Sequence, residues 1–270
     1  MATREASTEW SRRHLLIVLA VAAGIAVLLV AGLAYAVITA IGSDASPQKT
    51  SVANKHWPTN GKGIRGDEYR DAIAAEPMLK VSEEDMKPSA PALDRPGRMM
   101  IGPPAKPGPA DIPAGFAHNP EGAVAQLAAI EIAALTPMSI EYARDIFKVW
   151  AMDGGNFAKW EISQSIQVFH QNAGTIDGDG AVSVSATPVG AQVKGTDGPD
   201  WVLACVQLDV TTIVVEQTRF GYGHCERMQW SKDRWMIAAG EPPAPAPSTW
   251  PASQRSLDAG WRLWVDMEDH

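Results

Sequence analysis

His224 and Cys225 stand side by side in GYGHCERMQW, an imidazole next to a thiol. A cysteine nucleophile needs its base within hydrogen-bond reach of the sulfur. The surrounding residues read as a strand, however, and adjacent strand side chains point to opposite faces. The pair is therefore no catalytic dyad. His118 and Glu121 flank one helix start, and His170 lies near the end of another helix. Histidine with an acid does general acid–base work when both share a pocket. The plainer alternative leaves His118 exposed beside a helix cap and His170 on a polar helix face. Asp177-Gly178-Asp179-Gly180 has the acid-and-glycine pattern of a calcium loop. Such a loop ends on a bidentate glutamate, and Pro188 holds that position here, so the segment reads as a helix-to-strand turn. The sequence contains no Gly-rich phosphate loop, Cys-x-x-Cys, His-Glu-x-x-His or Gly-x-Ser-x-Gly. No catalytic, cofactor-binding or metal residues are expected, and the protein is read as non-enzymatic.

The elements that carry these residues are legible in the pattern. Asn119 at the N-cap, Pro120 at the first helical position and Glu121 in the first turn open a helix. It is apolar at Val124, Leu127, Ala128, Ile130, Ile132 and Leu135 and stops before Pro137. A second helix, from Ser139 to about Met152, buries Ile140, Ala143, Ile146, Phe147 and Trp150 and breaks at Gly154-Gly155. A third, from about Ala158 to Asn172, aligns Ile162, Ile166 and Phe169 on one face. From Gly180 the period becomes two, in AVSVSAT and VGAQV. DWVLACVQLDVTTIVVEQT is apolar on both faces and predicts a long central strand. GYGHCERMQW and RWMIAAG follow it, joined by the short turn SKD. Three helices followed by a strongly curved antiparallel sheet predict an α+β domain over residues 116–240, with the helices on one sheet face. Such a cone often holds a pocket.

The flanks differ in composition. More than half of the chain's 20 prolines fall between Pro47 and Pro120. Residues 42–115 are accordingly read as an extended, semi-rigid linker. One island in it, Asp67 to Ala75, predicts a short helix ended by Pro77, with too little apolar surface to fold alone. Residues 241–270 are Pro- and Trp-containing; Trp250, Trp261 and Trp264 either lie over the domain or form a candidate partner surface.

Leu15 to Ile41 is uncharged and longer than the roughly 20 residues a bilayer core demands. Cleavage is the alternative, because Ala34-Tyr35-Ala36 fits a small-x-small site and Arg12-Arg13 resembles a twin-arginine signal. The length of the run favours a permanent transmembrane helix over residues 15–41. Arg12 and Arg13 then sit at the membrane interface, and residues 1–14 form a cytosolic tail. The rest lies beyond the cytosol, which places the protein in the cell membrane as a single-pass chain. The lipid bilayer is its first partner.

A formal charge of −8 and no Lys/Arg-rich run argue against nucleic acid as a direct partner. The two cysteines, Cys205 and Cys225, lie in the extracytoplasmic part, where disulfides persist. A bridge between them closes a loop of about 20 residues and contributes roughly 3 kcal/mol. A hairpin turning at Gly221 sets Cys205 opposite Ile237, so a bridge demands a bulge or another strand order. Two buried thiols are the alternative.

GPADIPAGFAHNPEGAVAQLAAI, GYGHCERMQWSKDRWMIAAG and the closing GWRLW resemble uncharacterised actinobacterial single-pass membrane proteins of conjugative elements. The resemblance spans about residues 100–265. The plan of short tail, single helix and helices-then-sheet domain also resembles the bitopic assembly factors of type IV secretion systems and the mycobacterial Mce-associated membrane proteins. It implies a nuclear-transport-factor-2-like cone. It also implies a non-enzymatic scaffold of a cell-envelope secretion or conjugative DNA-transfer apparatus, contacting other envelope proteins and further copies of itself. A small-molecule-binding or enzymatic cone is the alternative function, and a cleaved secreted protein the third.

Overall fold

The computed structural model describes residues 57–173, 183–213 and 216–267. In chain order the elements are α1 (Asp67–Ala75), β1 (Arg98–Ile101), β2 (Lys106–Pro107), β3 (Pro113–Ala114), α2 (Pro120–Leu135), α3 (Ile140–Trp150) and α4 (Glu161–Ala173). They continue with β4 (Ser183–Thr196), β5 (Trp201–Ile213), β6 (Gln217–Ser231), β7 (Arg234–Ile237), α5 (Gln254–Asp258) and β8 (Arg262–Asp266). Six strands form one sheet in the order β1-β8-β4-β5-β6-β7. All pairs are antiparallel except β1 with β8. β4 carries two register shifts against β5, between Pro188 and Gly190 and between Val193 and Gly195. Each such irregularity bends the strand and sharpens its twist, and the sheet curls into a half-barrel.

The helices pack on the inner face of that sheet, as the order of elements predicts. Asn119 Oδ1 accepts from the Gly122 N–H at 2.8 Å, and Pro120 occupies the first turn. α2 is buried almost all round, with Val124, Leu127 and Ile130 fully enclosed. α3 turns Ala143, Ile146, Phe147 and Trp150 inward, and α4 contributes Ile162 and Ile166. Opposite them β5 presents Val202, Ala204, Val206, Leu208 and Val210. Each large apolar side chain buried here contributes roughly 1.5–3 kcal/mol.

The outer face of β5 is apolar too, and the expected linker covers it. Of the expected linker, the part from residue 57 on is placed against the domain. Ile73 and Ala74 of α1 pack on Trp201 and Leu203, and β1 enters the main sheet beside β8. The proline-rich run is held by specific polar contacts. Asp197, its side chain fully buried, accepts from the Arg65 and Gly66 N–H groups at 2.5 and 3.0 Å and from Arg70 Nε at 2.7 Å. Lys194 Nζ donates to the Ala74 and Glu76 carbonyls at the other end of α1. Residues 241–267 finish the cover. Gly221 and Gly223 lie where the chain at Pro247–Thr249 crosses β6, and a Cβ on Gly221 would stand 1.8 Å from the Thr249 carbonyl.

Cys205 and Cys225 are directly opposed on β5 and β6, with Cα atoms 4.0 Å apart, and are disulfide-bonded. Neither a bulge nor another strand order is needed. Ile213 pairs with Gln217, so the chain reverses well before Gly221, at a point that no Gly, Pro, Asn or Asp announces. The expected transmembrane run 15–41, the tail with Arg12 and Arg13, and Asp177–Gly180 lie outside the described residues. Among those described, no helix is long and apolar enough to cross a membrane.

Replacing both cysteines with alanine is expected to lower unfolding stability by about 2–4 kcal/mol, while circular dichroism stays that of a folded sheet. Asp197→Ala is expected to cost about 2–3 kcal/mol, because it strands Arg70 and two backbone donors. Hydrogen exchange is the direct measurement: protection across residues 66–75 disappears in the variant and persists elsewhere.

Candidate functional site

β6 alternates strictly. Its outward residues include Cys225, and its inward ones are Tyr222, His224 and Glu226, which face the helices. From the opposite side α2 brings Glu131, an acid in an otherwise apolar stretch and fully buried. His224 Nδ1 lies 2.6 Å from Glu131 Oε1, and His224 Nε2 lies 3.9 Å from Glu226 Oε2. Glu226 Oε1 accepts from the Arg227 N–H at 2.9 Å, whereas Glu131 Oε2 is buried without a partner. Tyr222 is the next residue up the strand. Its ring is stacked with that of His224 at 6.5 Å, and its hydroxyl donates to Glu161 Oε1 at 3.3 Å, with Ser165 Oγ 3.4 Å away.

Burial and charge compete at each of these groups. Burial pushes the Glu131 carboxyl up to about 7, although the neighbouring His224 charge opposes the rise. For His224, burial alone would lower the value; Glu131, with help from Glu161 and Glu226, overrides it and raises the imidazole to about 9. Burial also raises Glu226, again against His224. Tyr222 is pushed well above the usual phenol value by burial and by the Glu161 charge. The cluster therefore binds protons more tightly than exposed groups would.

Above this floor opens a cavity of about 380 Å3 between α4 and the inner sheet face. Its walls are mainly apolar, among them Leu135, Val168, Phe169, Val210 and Phe220, and Glu161, Ser165 and Tyr222 form the polar end. Glu131 and His224 lie behind Tyr222 and are not part of this wall. The arrangement suits an apolar molecule with one polar group.

The residues singled out from sequence are dispersed. His118 stacks on Trp230 at 4.2 Å and pairs with Asp200 at 2.7 Å, not with Glu121. His170 meets the Met138 carbonyl at 2.5 Å on the surface. His224 and Cys225 do face opposite ways. Trp261 is 3% exposed and lies over the domain, packed beside the disulfide with its Nε1 donating to the Pro247 carbonyl at 3.0 Å. Trp250 and Trp264 are half-buried; Arg219 lies over the Trp250 ring at 5.0 Å. Sequence reasoning missed Glu131, Glu161, Tyr222 and Glu226. Two signals pointed to three of them: a lone acid on the apolar face of AVAQLAAIEIAAL for Glu131, and the i, i+2, i+4 series Tyr222, His224, Glu226 in a strand; none marked Glu161. Among the described residues no group of three His, Cys, Asp or Glu is arranged to hold a metal ion. No family model matches the chain, and no match is found among curated proteins or solved structures.

Stability should follow this cluster with pH. An unfolded glutamate releases its proton near 4.5, but Glu131 keeps its own to about 7. An unfolded histidine deprotonates near 6.5, and His224 near 9. The folded state thus holds more protons between these values, and stability falls as pH rises from about 5 to about 9. Chemical denaturation at pH 5, 7 and 9 measures the slope, and Glu131→Gln is expected to flatten it.

Proposed function

We propose that the domain binds a small apolar molecule bearing a polar group in the cavity under α4. The apolar run 15–41 anchors it at a membrane, with the domain on the extracytoplasmic side. The observation that carries this reading is the buried floor. Glu131 and His224 are withdrawn from water behind Tyr222, which with Glu161 forms the polar end of an apolar cavity. Burying an ionisable group costs several kcal/mol, and a module that only stacks against partners gains nothing from it. Clustered, perturbed ionisable groups beside a cavity are characteristic of ligand sites. Binding is proposed in preference to turnover, because the paired Glu131 and His224 stand behind the wall.

A second reading is a non-enzymatic scaffold in a secretion or conjugative DNA-transfer apparatus, as the resemblance implies. It is favoured by a larger apolar cavity of about 710 Å3 along β1, β8 and α2, with Ile101, Phe116, Ile132, Tyr142, Trp264 and Met267 in its wall. Such a surface suits another envelope protein or a second copy of the chain.

Adamantan-1-ol, compact and uncharged, tests the binding reading. Calorimetric titration into the full chain in lipid nanodiscs, with empty discs subtracted, is expected to show saturable one-site binding. Ser165→Phe, which fills the cavity, is expected to abolish it without changing the circular dichroism. No saturable binding to the unmodified chain, or binding that survives the filling, rejects the reading.

A further inference from the structure

We infer that the cavity under α4 selects a protonated amine, so that its ligand class is a compact apolar group carrying an ammonium head. This rests on the binding reading above and adds the sign of the ligand's charge. Among the described residues that line the cavity, Glu161 is the one charged side chain, and none is Lys, Arg or His. Its protein partner among the described residues is the Tyr222 hydroxyl, at a long 3.3 Å, so the carboxylate is short of donors that a ligand could supply. Behind Tyr222, the buried Glu131 carboxyl and the His224 imidazole pair at 2.6 Å and offset each other, so Glu161 sets the sign of the cavity, and the apolar walls limit the water that screens it.

The remaining wall chemistry agrees. Phe169, Phe220 and Tyr222 bring three aromatic rings to the cavity, and aromatic faces attract cations. An ammonium therefore meets a carboxylate that accepts its protons and rings that stabilise its charge. A carboxylate ligand meets Glu161 head-on, with only hydroxyl and amide donors in the wall to offset the repulsion. An alcohol gains the hydrogen bond to Glu161 but none of the charge attraction. The expected order is amine, then alcohol, then carboxylate.

Adamantan-1-amine, adamantan-1-ol and adamantane-1-carboxylate share one apolar body and differ in the head group. Titrated at pH 7 into the full chain in nanodiscs, the amine is expected to bind roughly 10-fold tighter than the alcohol, and the carboxylate weaker than both. Glu161→Gln, with its unfolding curve checked against the unmodified chain, is expected to bring the amine down to the level of the alcohol and leave the alcohol unchanged. An amine no tighter than the alcohol, or a preference that survives Glu161→Gln, overturns the inference while leaving the binding reading in place. Failure of all three compounds to bind overturns both.

Discussion

β5 is buried on both of its faces, so two layers must close over it, and one has to come from chain with few apolar side chains of its own. The inner layer is ordinary: three helices that bury apolar side chains, two of them capped by Asn119 and Ser139. The outer layer is built from proline-rich segments at either end of the domain, which cannot form long ladders and must be fixed point by point. Asp197, Lys194 and Gln207 do this work. Gln207 Nε2 donates to the Thr249 carbonyl and Oγ1, both at 2.8 Å, and its Oε1 accepts from Ser256. Asp197 and Gln207 are buried with their bonds satisfied, and the half-buried Lys194 is bonded to two carbonyls, so the cover is specific although it is thin.

The pleat of β6 divides the chemistry between these layers. On the outer side Cys225 meets Cys205 and locks the two central strands together beneath Trp261, Ala246 and Met78. On the inner side the same strand offers Tyr222, His224 and Glu226 to α2. Two adjacent residues, His224 and Cys225, thus serve unrelated purposes one bond apart. Withdrawal of Glu131 and His224 from water is tolerable because each supplies the other's counter-charge. Glu131 Oε2, with no partner, shows that the compensation is incomplete, and that residual demand for a proton gives the cluster its raised affinity.

The cavity under α4 and the N-terminal cover lie on opposite faces of the sheet: α4 and inner strand positions line the cavity, whereas α1 packs on Trp201 and Leu203 of the outer face.

Much of the architecture was legible in the sequence because it depends on local chemistry. Asn119-Pro120 had to start a helix, Pro137 had to stop it, and period-two runs had to make strands whatever surrounded them. Even the two-layer requirement was visible in WVLACVQLDV, apolar at odd and even positions alike. What covers the second face was not visible, because proline-rich composition reports local stiffness and says nothing about which surface the stiff chain will meet. Nor was the register that joins Cys205 to Cys225, since the reversal after Ile213 uses no residue with turn chemistry. The candidate site was the least legible part. Glu131 and His224 are 93 residues apart in sequence and acquire their properties only when folding removes the water between them. Desolvation depends on the whole fold, so no pattern of neighbouring residues encodes it.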